Sequence, residues 1–219
     1  MRRFGIACAT LLLAATAFAA AKPHVIQFGK KTAVKLFVGP NEDKTLQINV
    51  QPLTVDGKIK EFTTGMPHDV TDRLFVVRRA YRINDYMDRD ANTVPRWKWQ
   101  RGGWLLVNRD TGRVSPITLP EFDPYYSAAS WYRDYVAYCG VSDSGEKLYA
   151  VVAQVGRRKP MVRKDLGAAK GGDLPESECP APEWQRQPTR VTFAPTSGSK
   201  LTFEVRGRAA DIAEPEEQP

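Results

Sequence analysis

Apolar and polar residues alternate with a period of two through the stretch "LQINVQ". Leu46, Ile48 and Val50 fall on one side of an extended chain, and Gln47, Asn49 and Gln51 on the other. That alternation predicts a half-buried strand. Beyond Pro52 the apolar set moves to Leu53 and Val55, so a bulge or an edge break is expected near the proline. Asp56-Gly57 then separates this run from Ile59 and Phe62, and Asp-Gly supplies the positive φ angles that a tight hairpin turn requires. The same rhythm returns near the end: Leu201, Phe203 and Val205 alternate with Thr202, Glu204 and Arg206, while Val191 and Phe193 precede a "PTSGS" turn. This predicts a terminal hairpin. Between these ends lie "LFVVRRAYRI" (74–83), "WLLVN" (104–108), "YVAYCGV" (135–141) and "LYAVVAQV" (148–155). Their valines and aromatics favour strands, and no long amphipathic helix is found. The fold class expected is all-β: antiparallel meander repeats of about ten strands, with no long helix.

An internal repeat is visible once the strands are placed. Units begin at "KLFVG" (Lys35), "LFVVR" (Leu74) and "YVAYC" (Tyr135) and proceed to turns at Asp56-Gly57, Asp110-Thr111-Gly112 and Gly156-Arg157. The second unit is the longest, and its excess, 86–103, contains "PRWKWQRGGW", with Trp97, Trp99 and Trp104. Strand alternation places Trp97 and Trp99 on one face, with Lys98 and Gln100 on the other. The expectation is a hairpin inserted into the middle repeat, its rings facing inward and its cations facing water, and a strand break at Gly102-Gly103 before "WLLVN".

The residues "NRDTGRVSPITL" followed by "ASWYRDYVAYCGVSDSGEKLYAVV" resemble a blade of the bacterial TolB-like β-propellers. In that family a D-x-T-G type turn closes one blade and a W-S-P-D-G-K-x-I-A type strand opens the next. The resemblance covers 108–152, and "WYRDY" lacks the proline and glycine of the usual turn. It implies antiparallel meanders stacked face to face and no particular activity. A closed propeller needs at least four blades, and only three units and a hairpin are counted. A β-sandwich and an incomplete propeller-like stack therefore both remain open.

The compartment follows from the N-terminus. Arg2 and Arg3, an apolar run from Phe4 to Phe18 and an alanine-rich 17–21 have the three parts of a secretory signal peptide. Cys8 leaves with it. The organisation expected is a signal peptide at 1–21, one β-rich domain at 22–208, and an acidic disordered tail at 209–219. No transmembrane segment follows the signal peptide, so the chain is expected to be exported, either periplasmic or secreted. The remaining cysteines, Cys139 and Cys179, are expected to pair in an oxidising compartment and to tether the Gly-, Pro- and acid-rich loop 167–187. Formal charge falls from +7 to +5 when Arg2 and Arg3 are removed. The four acids of the last nine residues, with no base among them, leave the preceding domain at +9. A basic exported domain favours anionic partners such as envelope polymers, although the same excess also serves plain solubility.

Catalytic constellations are weakly represented. The chain has two histidines, His24 and His68, and "GVSDSG" misses the G-x-S-x-G spacing of a nucleophile elbow. Ser144 and Lys147 satisfy S-x-x-K but fall in a turn. His68, with Asp69 and Asp72 nearby, reads either as a base or ligand or as a satisfied loop histidine. In "NDYMDRDANT", Asp88, Asp90 and Asn92 repeat every second residue, as oxygen ligands do in a calcium loop. Thr93 in place of Gly and Trp99 in place of Glu depart from an EF-hand, leaving a different calcium site or a polar loop. No other cofactor is expected. The aromatic clusters, Trp97, Trp99, Trp104, Tyr125, Tyr126, Trp131 and Tyr132, are candidates for a sugar-stacking platform. Two functions follow: a non-catalytic exported module that binds an envelope protein or an anionic or polysaccharide polymer, or a carbohydrate-binding or carbohydrate-active protein. Nucleic acid is disfavoured as a partner by export.

Overall fold

The computed structural model describes residues 22–38, 44–84, 97–169, 179–196, 198–207 and 209–212. These residues form an all-β fold with no helix. In chain order the strands are β1 (Ile26–Phe28), β2 (Thr32–Val38), β3 (Lys44–Val55), β4 (Lys58–Thr71), β5 (Leu74–Asn84), β6 (Trp97–Asn108) and β7 (Val114–Ile117) in a first sheet. A second sheet holds β8 (Ser130–Tyr132), β9 (Tyr135–Val141), β10 (Lys147–Gln154) and β11 (Val162–Ala168). The third contains β12 (Glu183–Gln185), β13 (Arg190–Phe193), β14 (Leu201–Arg206) and β15 (Ala209–Ile212). The described strands number fifteen, more than the sequence rhythm suggests, because β1, β7, β8 and β12 are too short to display a period.

The second and third sheets are four-strand antiparallel meanders in chain order. In the first, β2 through β6 run as a meander that closes on itself into a five-strand barrel. The closing contact is parallel, with Leu36 of β2 opposite Trp99 of β6, as a ring with an odd number of alternating strands requires.

Local chemistry sets the turns and breaks. Asp56 and Gly57 take φ of 52° and 75°, the pair of left-handed residues that joins β3 to β4. The Asp56 carboxylate accepts the Val25 N–H at 3.0 Å and contacts His24 Nδ1 at 2.7 Å, so the turn also holds the start of β1. Pro52 lies where the edge partner of β3 changes from β2 to β1, and the β3–β4 register shifts between Leu53 and Thr54, next to the expected break. In β4, Gly65 at φ 75° opens a bulge: Thr64 faces Arg78 and His68 faces Val76, so three residues of β4 oppose one of β5.

The core lies in three apolar clusters. Phe75 and Val77 of β5 join Leu53, Leu105 and Val107 with Ile26, Phe28 and Val114. Val76, pointing the other way, joins Trp104 against Val136, Tyr138, Tyr149, Val151 and Ala153 of the second sheet. The alternate residues Ala137, Cys139, Leu148, Ala150 and Val152 pack on Val191, Phe193, Phe203 and Val205 of the third. The second sheet is thus the middle layer, covered on both faces. This is why β9 and β10 read as continuous apolar runs instead of alternating. At about 1.5–3 kcal/mol for each fully buried large aliphatic or aromatic side chain, those two strands carry much of the apolar stabilisation. Cys139 and Cys179 form the expected disulfide, both 3% exposed, across a separation of 40 residues. It ties β9 to the segment that enters β12.

Candidate functional site: the aromatic and cationic end of β5–β6

Strand β6 does not break at Gly102-Gly103. It runs unbroken from Trp97 to Asn108 with a bulge there: Arg78 faces Trp104 and Ala80 faces Arg101, so two residues of β6, Gly102 and Gly103, oppose one of β5, Arg79. The extra residue matters for the tryptophans. Trp99 and Trp104 are five positions apart, which in a regular strand would put them on opposite faces. Their partners, Arg82 and Arg78, are four apart and share a face, so the bulge brings Trp97, Trp99 and Trp104 to one side of the β5–β6 hairpin. Gly102 is suited to this place: a Cβ there would come within 3.0 Å of Arg79 Cβ.

Burial grades along this face. Trp104 is 8% exposed, beneath the second sheet. Trp99 is half-buried; Phe62 of β4 meets it edge-on at 5.4 Å. These rings reach each other across β5 at Ala80, which is 1% exposed and whose single methyl leaves them room. Trp97 is 59% exposed. The guanidinium of Arg82 lies 5.8 Å from the Trp97 ring centre and 5.4 Å from that of Trp99, within cation–π range. Among the described residues Arg82 has no carboxylate partner. On the reverse face Arg79 lies over Tyr81 at 5.5 Å and pairs with Glu61 at 3.0 Å.

The inward rings and outward cations expected for this stretch are therefore reversed at its tip. Lys98, on the other face, is 8% exposed with its ammonium 5.5 Å from the Phe37 ring, while Trp97 faces solvent. The alternation itself holds; which face is covered depends on Phe37 and Phe62, residues of other strands.

The remaining aromatic candidates lie elsewhere. Trp131 packs edge-on to Trp104 at 5.1 Å and stacks with His68 at 5.9 Å, sealing the barrel against the middle sheet. Tyr132 stacks on Trp184 at 5.5 Å, between the second and third sheets. Tyr125 and Tyr126 touch each other at 5.2 Å and are half-buried on the connection 119–127. Asp123 Oδ1 accepts both of their backbone N–H groups, at 2.6 and 3.0 Å. Arg78 holds the same connection, donating to the carbonyls of Pro124 at 2.6 Å and Ser127 at 3.3 Å, and to Gly102 at 3.3 Å. Neither Arg78 nor Arg82 stood out in the sequence. The spacing of Arg78, Ala80 and Arg82 marks one face of β5, but only register connects that face to the tryptophans.

The polar candidates are engaged within the fold. His68 Nε2 donates to the Arg133 carbonyl at 2.8 Å, and Asp69 accepts from Arg109 at 2.6 Å. The Ser144 hydroxyl lies 3.1 Å from that of Ser142, and Ser142 Oγ accepts the Lys147 backbone N–H, a turn that closes β9 on β10. Asp88, Asp90 and Asn92 lie outside the described residues, as does the N-terminal segment 1–21. Comparison with protein-family models, with characterised proteins and with solved structures finds no match to this chain.

Proposed function

We propose that the chain is an exported, non-catalytic β-rich module that binds a polymer of the cell envelope, and that the polymer is a polysaccharide held at the open end of β5–β6. The observation that carries this reading is the exposed Trp97 ring, with the Arg82 guanidinium over it and Trp99. An open indole offers a flat apolar face to a sugar ring. Arg82 beside it, with no carboxylate partner among the described residues, offers a planar fork for a carboxylate or phosphate substituent. The disulfide suits an oxidising compartment, and among the described residues no helix is long and apolar enough to cross a membrane. The internal hydrogen bonds of His68, Asp69 and Ser144 support a binding role over a catalytic one.

Affinity electrophoresis through gels containing neutral or acidic envelope polysaccharides tests this. Retardation is expected in an acidic polysaccharide gel, and Trp97→Ala should weaken it about tenfold or more, as truncation of an aromatic anchor does. Migration of wild type unaffected by every polysaccharide, or equal retardation of Trp97→Ala, would overturn the reading.

A further inference from the structure

A second surface lies far from Trp97 along the fold, where the edge of β7 meets the end of β10. A groove of about 600 Å³ runs between them, within the size range of ligand sites. Its walls are apolar: Leu106, Pro116, Ile117 and Leu119 from the first sheet and its exit, and Val155 from the second. One rim is the β10–β11 turn. Gly156, at φ 81°, reverses the chain there and leaves Arg157 and Arg158 on the groove, followed by Lys159, all three exposed. Among the described residues no acid lines the groove, Asp134 bonding to its lining residue Gln154 at 2.6 Å, and none of the three cations forms an ion pair.

We infer that this groove docks an extended acidic segment of a partner protein, with apolar side chains against Ile117, Leu119 and Val155 and carboxylates on Arg157 and Arg158. Charge complementarity selects the occupant: an apolar wall under a rim that carries two arginines fits a segment that mixes apolar and acidic side chains. A bare polyanion would leave the wall unused. Simple strand addition is disfavoured by Pro116, which has no N–H to offer and blunts the β7 edge. Recognition therefore rests on side chains. This surface is independent of the polysaccharide reading and would survive its failure.

The test uses the full chain and an array of short peptides in which an apolar pair is flanked by glutamates, with lysine-for-glutamate counterparts and inorganic polyphosphate as a competitor. Glutamate peptides should bind and lysine peptides should not. Joint Arg157→Glu and Arg158→Glu substitution should weaken the glutamate peptides tenfold or more and admit the lysine set. Thr118→Trp, at an exposed position of the wall, should block the glutamate set in the wild-type chain and the lysine set in the charge-reversed one without changing the melting temperature, and Trp97→Ala should bind as wild type does. No preference between the two sets, no binding of either, no effect of charge reversal, or displacement by polyphosphate as readily as by free peptide would each overturn the inference, the last by reducing the rim to a plain anion patch.

Discussion

Arg78 is the most informative residue to remove. Its guanidinium donates to three backbone carbonyls, those of Gly102, Pro124 and Ser127. It also lies 6.0 Å from the Trp104 ring and 5.4 Å from that of Phe122. Arg78→Met keeps an apolar stem over those rings and deletes the donors, so it isolates the hydrogen bonds. Bonds from a charged donor contribute about 1.5–3 kcal/mol each. The bond to Pro124 is short and takes the low end of that range because the side chain is only partly buried, while the two long ones count as ordinary bonds of about 1 kcal/mol each, so the expected total is about 3–4 kcal/mol. That is a large share of a usual total of about 5–15 kcal/mol. Arg78→Lys retains the charge but can serve only one or two of the spread carbonyls, and should recover about 1 kcal/mol. Urea unfolding followed by tryptophan fluorescence gives both values from the midpoint and slope, and near-ultraviolet circular dichroism reports whether Tyr125 and Tyr126 have come loose. A loss below about 1 kcal/mol for Arg78→Met, or full recovery by Arg78→Lys, would show that the fork does not hold the 119–127 connection.

Two further predictions follow from buried groups. Replacing Cys139 and Cys179 by serine opens a loop of 40 residues, which the chain-entropy treatment sets at about 4 kcal/mol; urea midpoints that coincide for wild type in the presence and absence of reductant would contradict it. Burial raises the Tyr138 phenol above its ordinary pKa, with the Glu121 charge adding to the effect, and the hydroxyl donates to Pro120 O at 2.6 Å. In the unfolded chain this tyrosine ionises near pH 10 while in the native protein it stays protonated, so its stabilisation is complete below that pH and is lost as pH rises, by up to about 1.4 kcal/mol per unit. Tyr138→Phe should flatten the decline of stability between pH 9 and 11; identical slopes in the two proteins would refute the assignment.

The local parts of this fold are readable from the chain. Period-two alternation marks β3 and β14, the Asp-Gly pair marks the β3–β4 turn, and the two cysteines beyond residue 21 suggest their bridge, because each of these depends on residues within a short window or on counting. What closes the barrel is not local. Leu36 opposite Trp99 depends on a register that several hairpins accumulate. The same limit explains the reversal at Trp97 and Lys98. Alternation says that they part company, and only the arrival of Phe37 over one face and Phe62 over the other decides which side chain is covered. The acidic C-terminal segment divides similarly: Ala209–Ile212 pair with β14 as an edge strand, a role that the register with Phe203 and Arg206 supplies and acidity alone does not suggest.

The position of the proposed site follows from how far the middle sheet reaches. Covered on both faces, that sheet can pack on only part of the β5–β6 hairpin, and its coverage ends near the bulge at Gly102-Gly103: Trp104 on one side of it is buried, while Trp99 is half-buried and Trp97 open. Without the extra residue, Trp97 and Trp99 would turn to the opposite face from Trp104, and the graded row of three indoles would not exist. The bulge thus does two things at once. It keeps the hairpin paired through the change of environment, and it aligns an anchored ring, a half-buried ring and an exposed ring on a single face. A rigid strand carried beyond the core is a better place for an aromatic platform than a loop, because Trp99, wedged by Phe62 over Ala80, gives the neighbouring Trp97 and Arg82 a fixed base. Residues 97–104 accordingly join core to site, with the two glycines at the boundary between them.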